Sequence, residues 1–167
     1  MNIKNIKVIL YSFSNYLFSL PIVYLGLTSF SKDEMKADWQ PPGYVFGIVW
    51  PILYLLFGII NLRIYYSKYI PYNLKQINLN ISFQEAIIQT MWLLVNGKYF
   101  STRYCFQHYL SMIVMLHLLI YAYCLRLPLL YEIKDKTIVM MYIPYILWIG
   151  FASILNYQLV RKCLDNK

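Results

Sequence analysis

The chain has 167 residues, 60% of them hydrophobic and 13% charged, with 15 Lys and Arg against 7 Asp and Glu for a net charge of +8. A charged fraction about half the roughly 25% of soluble domains, with no linker, repeat or block of like charge, argues against a disordered, multidomain or nucleic-acid-binding chain. It points to a single integral membrane domain over residues 1–167, whose cations sit at the ends of apolar runs where anionic headgroups attract them.

A hydrocarbon core about 30 Å thick takes about 20 apolar residues to cross as a helix, so uncharged windows of that length define the elements. The first, Val8 to Ser31, follows Lys4 and Lys7. It is too long for the apolar part of a secretory signal and no small-residue cleavage site follows, so a retained helix is expected over 8–30. The second opens at Trp39-Gln-Pro41-Pro42-Gly43-Tyr44 and stays uncharged from Gln40 to Leu62. Paired prolines begin a helix where backbone N–H groups need no partner, and Trp39 and Tyr44 suit the headgroup level; the helix is expected over 42–66. Inside it Pro51 removes the hydrogen bond to the Gly47 carbonyl, which predicts a local kink. Trp50 and Tyr54 share a face. Gly43 and Gly47 form a Gly-x-x-x-Gly pair that reads as close packing or self-association into a homodimer.

The third window, expected as a helix over 77–99, holds Asn78, Asn80, Gln84, Glu85 and Gln89. A carboxylate buried there would be a functional-site candidate. The fourth, expected over 104–126, is uncharged from Tyr104 to Leu125. Its Cys105 and Cys124 lie 19 residues apart, roughly 28 Å along a helix, and Cys163 belongs to the tail, so the three make no common ligand set. His108 and His117 fall on opposite faces; either can ligate a haem iron, although hydrogen bonding within the bundle is the simpler role. No metal site, nucleophile–base arrangement or phosphate loop is present, and no catalytic residue is assigned: the chemistry expected is binding. The fifth helix, over 137–161, brings Trp148, Ala152 and Asn156 onto one stripe, where an amide in hydrocarbon should face protein or ligand. Lys and Arg divide eight against seven between the two sides, which leaves orientation undecided.

Two blocks carry a resemblance. Trp39, Pro41, Pro42, Phe46, Gly47, Trp50, Leu53, Tyr54 and Gly58 match the signature of the TspO/MBR family, the translocator proteins once called peripheral benzodiazepine receptors. The block Pro144, Tyr145, Trp148, Phe151, Ala152, Leu155, Asn156 and Tyr157 is similar to that family's fifth transmembrane helix. The resemblance implies an all-α bundle of five transmembrane helices in a multi-pass membrane protein. It also implies a cavity beneath the first loop that includes Trp39, Trp50, Tyr54, Trp148, Ala152 and Asn156. The implied ligand is flat and hydrophobic, a porphyrin (haem included) or a sterol, transported or sensed rather than held as a required cofactor. Lys32 and Lys36 in the first loop either meet a ligand's carboxylates or are simply solvated. Leu155, Tyr157 and Arg161 fit the family's loose sterol pattern, which snorkelling of Arg161 explains equally well. The chain departs from the family elsewhere. Aligned on Tyr99-Phe100, it carries Trp92 where Asn is usual, Val95 where a second Trp is common, and Ser111 where the fourth helix commonly has Asp; Tyr44 replaces a common Trp. Two other functions stay open: light-driven porphyrin breakdown near the tryptophans, and a ligand-free role as an assembly partner.

Overall fold

The computed structural model describes residues 3–24, 37, 39–96 and 104–165, and every regular element among them is helical. The expectations placed on Lys32, Lys36 and Tyr99-Phe100 fall outside these residues. The helices are α1 (Ile3–Ser12), α2 (Ser14–Tyr24), α3 (Gly43–Tyr66), α4 (Tyr72–Val95), α5 (Tyr104–Ile120), α6 (Leu127–Glu132) and α7 (Lys136–Asp165). One π-helical stretch, Tyr121–Arg126, joins α5 to α6 without a break.

The first helix differs from the continuous one expected over 8–30. It begins at Ile3, and α1 and α2 meet at a 56° bend around Phe13. The stretch Ser12-Phe13-Ser14-Asn15 holds poor helix formers. The Phe13 ring, in turn, packs onto the bare backbone of Gly58 in α3, so closely that a Cβ at Gly58 would overlap it. The hydroxyl of Tyr16 then donates to the Pro51 carbonyl, fastening α2 beside α3.

Both α3 and α4 are preceded by a proline in extended conformation, Pro42 (φ −54°, ψ 146°) and Pro71 (φ −56°, ψ 145°), which fixes the chain's entry into each first turn. Helix α3 runs unbroken through Pro51. Helix α4 starts five residues before the expected 77 and ends at Val95, where the Asn96 side chain caps the Trp92 carbonyl at 2.8 Å. The fourth element continues past the expected 126 to Glu132, because the π-helical stretch carries Arg126 inward rather than into a loop. Helix α7 starts at a cap that the sequence reading did not include: Asp135 accepts from the backbone N–H of Thr137 at 3.0 Å and of Ile138 at 3.4 Å. Lys134, at φ 59°, makes the reversal before it. The other carboxylate oxygen of Asp135 takes a 2.9 Å ion pair from Arg63, tying the end of α3 to the start of α7.

Three helical stretches, Gly43–Tyr66, Cys105–Glu132 and Lys136–Asp165, are long and apolar enough to cross a membrane, and a fourth if α1 and α2 form one bent span. The expected five is not reached on length and composition, because polar residues lower the hydropathy of α4. Four of those residues, Asn78, Ser82, Glu85 and Gln89, are buried, while Asn73, Asn80 and Gln84 are exposed together with Ile77, Ile87, Met91 and Leu94 on the outer face. The other helices repeat the pattern, with Ile48, Ile52, Leu55, Ile113, Leu116, Leu147 and Ile154 exposed. An apolar exterior around a partly polar interior is the arrangement of a protein whose solvent is lipid.

Candidate functional site

All four tryptophans of the chain belong to one run of touching rings. It starts at Trp39, whose ring lies 5.5 Å from Phe151, and passes from Phe151 to Trp148 in a stacked pair at 5.3 Å. Trp148 meets Trp50 edge-on at 6.4 Å, and Trp50 reaches Trp92 at 6.0 Å and Tyr54 at 5.7 Å. These separations are those of favourable offset and edge-to-face pairs. Trp50 is central because it sits one turn from both Phe46 and Tyr54 on the inward face of α3, with α7 on one side and α4 on the other.

The open space lies beside this run. A cleft of about 210 Å³ is bounded by Tyr16, Ser19 and Leu20 of α2, by Phe46, Trp50 and Tyr54 of α3, and by Trp92 and Leu93 of α4. Gly43 and Gly47 form part of its wall, with nothing within 4 Å of where either Cβ would stand. The absent side chains keep the cleft open. Trp50 is 7% exposed, and its indole N–H has no acceptor among the described residues; that of Trp148 has none either. A buried donor without a partner carries a desolvation cost that a ligand acceptor would relieve.

The six residues implied for the cavity therefore separate. Trp50 and Tyr54 line the cleft; Trp148 and Trp39 extend its aromatic wall, with Trp39 41% exposed at the end of the run. The seam between α3 and α7, the helices that carry five of the six residues implied for the cavity, is filled by Phe46, Trp50, Phe57, Tyr142, Tyr145 and Trp148. Ala152 and Asn156 are buried and do not line the cleft. The Asn156 amide is spent on the protein, donating to the Ala152 carbonyl at 2.7 Å and accepting from Ser111 at 2.5 Å. Ser111 in turn accepts from Asn96 at 3.0 Å, so one polar clamp joins α4, α5 and α7. Trp92, noted in the sequence only as a departure from the family, is a cleft residue. The spacing Ser82, Glu85, Gln89, Trp92 puts it on the inward stripe of α4.

The sterol pattern does not form one surface, since Leu155 is 5% exposed and packs inward while Tyr157 and Arg161 face outward. His108 is buried and His117 is exposed, its Nδ1 2.8 Å from the Ile113 carbonyl oxygen. Among the described residues no three metal-ligating side chains come together. Cys105 and Cys163, far apart in the chain, form a disulfide that joins the start of α5 to the end of α7 with Cα atoms 5.6 Å apart, leaving Cys124 free and exposed.

Below the cleft lies a polar interior of which the sequence had shown only the α4 members Asn78, Glu85 and Gln89, without their partners. Arg126 is 0% exposed. Its Nη2 donates to Asn61 Oδ1 at 2.7 Å, and its Nη1 reaches Glu85 Oε2 and the Asn78 carbonyl, each at 3.3 Å. Its guanidinium also lies 5.1 Å from the Phe57 ring centre and 5.9 Å from that of Tyr142. Asn61 donates to Ser82 at 2.7 Å and accepts from Asn78 at 2.9 Å. Tyr142 donates to Glu85 at 3.1 Å, and Gln89 donates to the Tyr145 hydroxyl at 2.7 Å.

A sequence model of the TspO/MBR family matches residues 17–161, most of the chain. The chain is 23% identical over 127 residues to the tryptophan-rich protein TspO of Chlorobaculum tepidum, covering 76% of this chain and 75% of that protein. It is 25% identical over 126 residues to the protein CrtK of Rhodobacter capsulatus, covering 75% and 73%. With its apolar exterior and its run of tryptophans, the chain is a multi-pass integral membrane protein that belongs to the TspO/MBR family.

Proposed function

We propose that this protein binds a flat hydrophobic ligand, a tetrapyrrole or a sterol, in the cleft between α2, α3 and α4, and that it transports or senses the ligand rather than transforming it. The observation that carries the reading is the contiguous run of all four tryptophans, two of which, Trp50 and Trp92, line an apolar cleft kept open by Gly43 and Gly47. Aromatic walls suit the faces of a planar ligand, and the buried Trp50 N–H, without an acceptor among the described residues, would gain one from a ligand that reaches it. At about 210 Å³ the cleft is smaller than the roughly 300–1,000 Å³ of drug-sized sites. A macrocycle would therefore enter edge-first, part of it remaining against the outer surface between α2 and α3. In this reading α4 also crosses the membrane, its polar stripe shielded by the helices around it, which completes a five-span bundle.

The test is a fluorescence titration of the detergent-solubilised protein with protoporphyrin IX. Saturable tryptophan quenching at micromolar pigment is expected, weakened at least tenfold by Trp50→Leu and Trp92→Leu, whereas Asn156→Leu acts only through stability. Absence of saturable quenching rejects the tetrapyrrole reading.

A further inference from the structure

We propose that Glu85 is an internal proton-binding site and that its charge is read by the ligand cleft. Glu85 stands near the middle of α4, is 0% exposed, and shares the inward stripe of that helix with Gln89 and Trp92. Ionisable side chains at such depth are expensive and mark functional interiors more often than structural ones. A plain structural ion pair would be a short fork with two parallel bonds of about 2.7–2.9 Å. Here the contact is single and 3.3 Å long, and the shortest bond of Arg126 goes instead to the neutral Asn61 amide.

That asymmetry is the core of the argument. Asn61 Oδ1, the Asn78 carbonyl and the rings of Phe57 and Tyr142 stay around the guanidinium whether Glu85 is ionised or neutral, while its Nε has no acceptor among the described residues in either case. Glu85 can thus take up or release a proton without stripping its partner of hydrogen-bond acceptors. Two buried acceptors on the same helix, Asn78 Oδ1 and Gln89 Oε1, have no donor among the described residues and are available to a protonated carboxyl or an intervening water. The charged and titratable groups facing this interior are Arg126 from the π-helical stretch, Tyr142 and Tyr145 from α7 and Tyr54 from α3. From α2 comes Tyr16, while α1 contributes only the neutral Ser12, whose carbonyl accepts from Asn61 at 3.4 Å.

The path to the cleft is made of the same groups. Tyr142 bonds Glu85, and its ring lies 5.3 Å from that of Tyr145, which accepts from Gln89. Gln89 stands one turn before Trp92 on the inward stripe of α4, and Trp92 lines the cleft and meets Trp50 there. A proton taken up from the aqueous phase by the Glu85 carboxylate removes one negative charge from this line, and a ligand in contact with Tyr54 and Trp92 registers the change.

The primary test needs no ligand: pH-stepped infrared difference spectra of the full-length protein in lipid nanodiscs, with wild type and Glu85→Gln compared. The expected result is a neutral-carboxyl C=O band that grows as the pH falls and is lost in Glu85→Gln; identical spectra overturn the proposal. Should Glu85→Gln fail to fold, Tyr142→Phe takes its place and is expected to displace the midpoint of that band, an unmoved midpoint being the contrary result. The coupling is read by repeating the protoporphyrin titration across the same pH range. Half-saturation is expected to change about tenfold in wild type and less than twofold in Glu85→Gln, and equal pH dependence in both removes the link to the cleft. If neither protein quenches, the ligand reading has failed while the infrared band still decides Glu85.

Discussion

Replacing Arg126 with Met keeps the length and most of the volume of the side chain while removing its charge, leaving the Glu85 carboxylate without a cation in an interior where both side chains are 0% exposed. An unpaired carboxylate there is not tolerated at full Born cost, because the protein escapes by binding a proton. Measured from the ordinary glutamate value of about 4.3 at about 1.36 kcal/mol per pH unit, that escape costs at most about 3.7 kcal/mol at pH 7, and every proton that wild-type Glu85 already holds lowers it. The ceiling lies within the about 3–5 kcal/mol lost when one partner of a buried pair is removed. It also fixes a sign. At pH 5 the same escape costs only about 1 kcal/mol, so the penalty of Arg126→Met should shrink as the pH falls. The double variant Arg126→Met with Glu85→Gln should recover most of the loss, less the bond that Asn61 Oδ1 gives up. Equilibrium unfolding by sodium dodecyl sulfate in mixed micelles, followed by circular dichroism for the four members of the cycle at both pH values, measures each quantity. The reasoning is refuted if Arg126→Met stays within about 1 kcal/mol of wild type at pH 7, or if the double variant is no more stable than the single one.

Gly58→Ala places a methyl group where the Phe13 ring packs, so it should cost about 1–3 kcal/mol by overpacking; Phe13→Ala in the same chain should relieve part of that loss in the same unfolding assay. The Asp135 carboxyl is held below the ordinary carboxylate range, partial burial being outweighed by hydrogen bonds from Arg63 and the N–H groups of Ile138 and Thr137. The stability it contributes is therefore present above the ordinary carboxylate value and is lost as the pH falls through the lower folded value. Asp135→Ala should remove about 1 kcal/mol at neutral pH and abolish that part of the acid sensitivity, as read by thermal unfolding at a series of pH values. Maleimide labelling of the denatured protein without reductant should find one thiol, Cys124, and three after reduction, since Cys105 and Cys163 are bonded; three without reductant contradicts the bond. Such bonds persist in oxidising compartments, so an impermeant maleimide applied to intact vesicles after mild reduction shows on which side the cleft end lies.

Much of α3 was legible because its signals are local: a proline pair to start, apolar residues throughout, and Trp50 one turn from Tyr54. The α1–α2 bend was not, because its cause sits on another helix; nothing near Phe13 announces that Gly58 will receive its ring. The stripe Trp148, Ala152, Asn156 shows the limit of periodicity. Spacing fixed that the three share a face but not which neighbour that face meets, and along α7 the neighbour changes from the aromatic wall at Trp148 to Ser111 of α5 at Asn156. Arg126 was expected as the last residue of the fourth helix, counted among the cations at the membrane's edge. The signal against that assignment was present, since a lone cation between apolar runs needs an interior partner, and Glu85 was already marked as an acid inside a helix. What the sequence lacked was the π-helical stretch that turns Arg126 inward.

The same three helices, α3, α4 and α7, supply both the aromatic wall and the polar interior, and they do so at different heights. On α3 the order is Phe46, Trp50, Tyr54, Phe57, Asn61; on α4, running the other way, it is Asn78, Ser82, Glu85, Gln89, Trp92. Antiparallel neighbours with opposite gradients bring aromatic to aromatic at one end, Trp50 against Trp92, and amide to amide at the other, Asn61 against Asn78. A register shift of one turn between α3 and α4 would set Asn61 and its partners against apolar side chains, leaving amides unpaired in a lipid-facing fold where each such loss costs several kcal/mol. The polar end therefore fixes the register that places Trp50 opposite Trp92, so the shape of the cleft depends on side chains that never touch its contents.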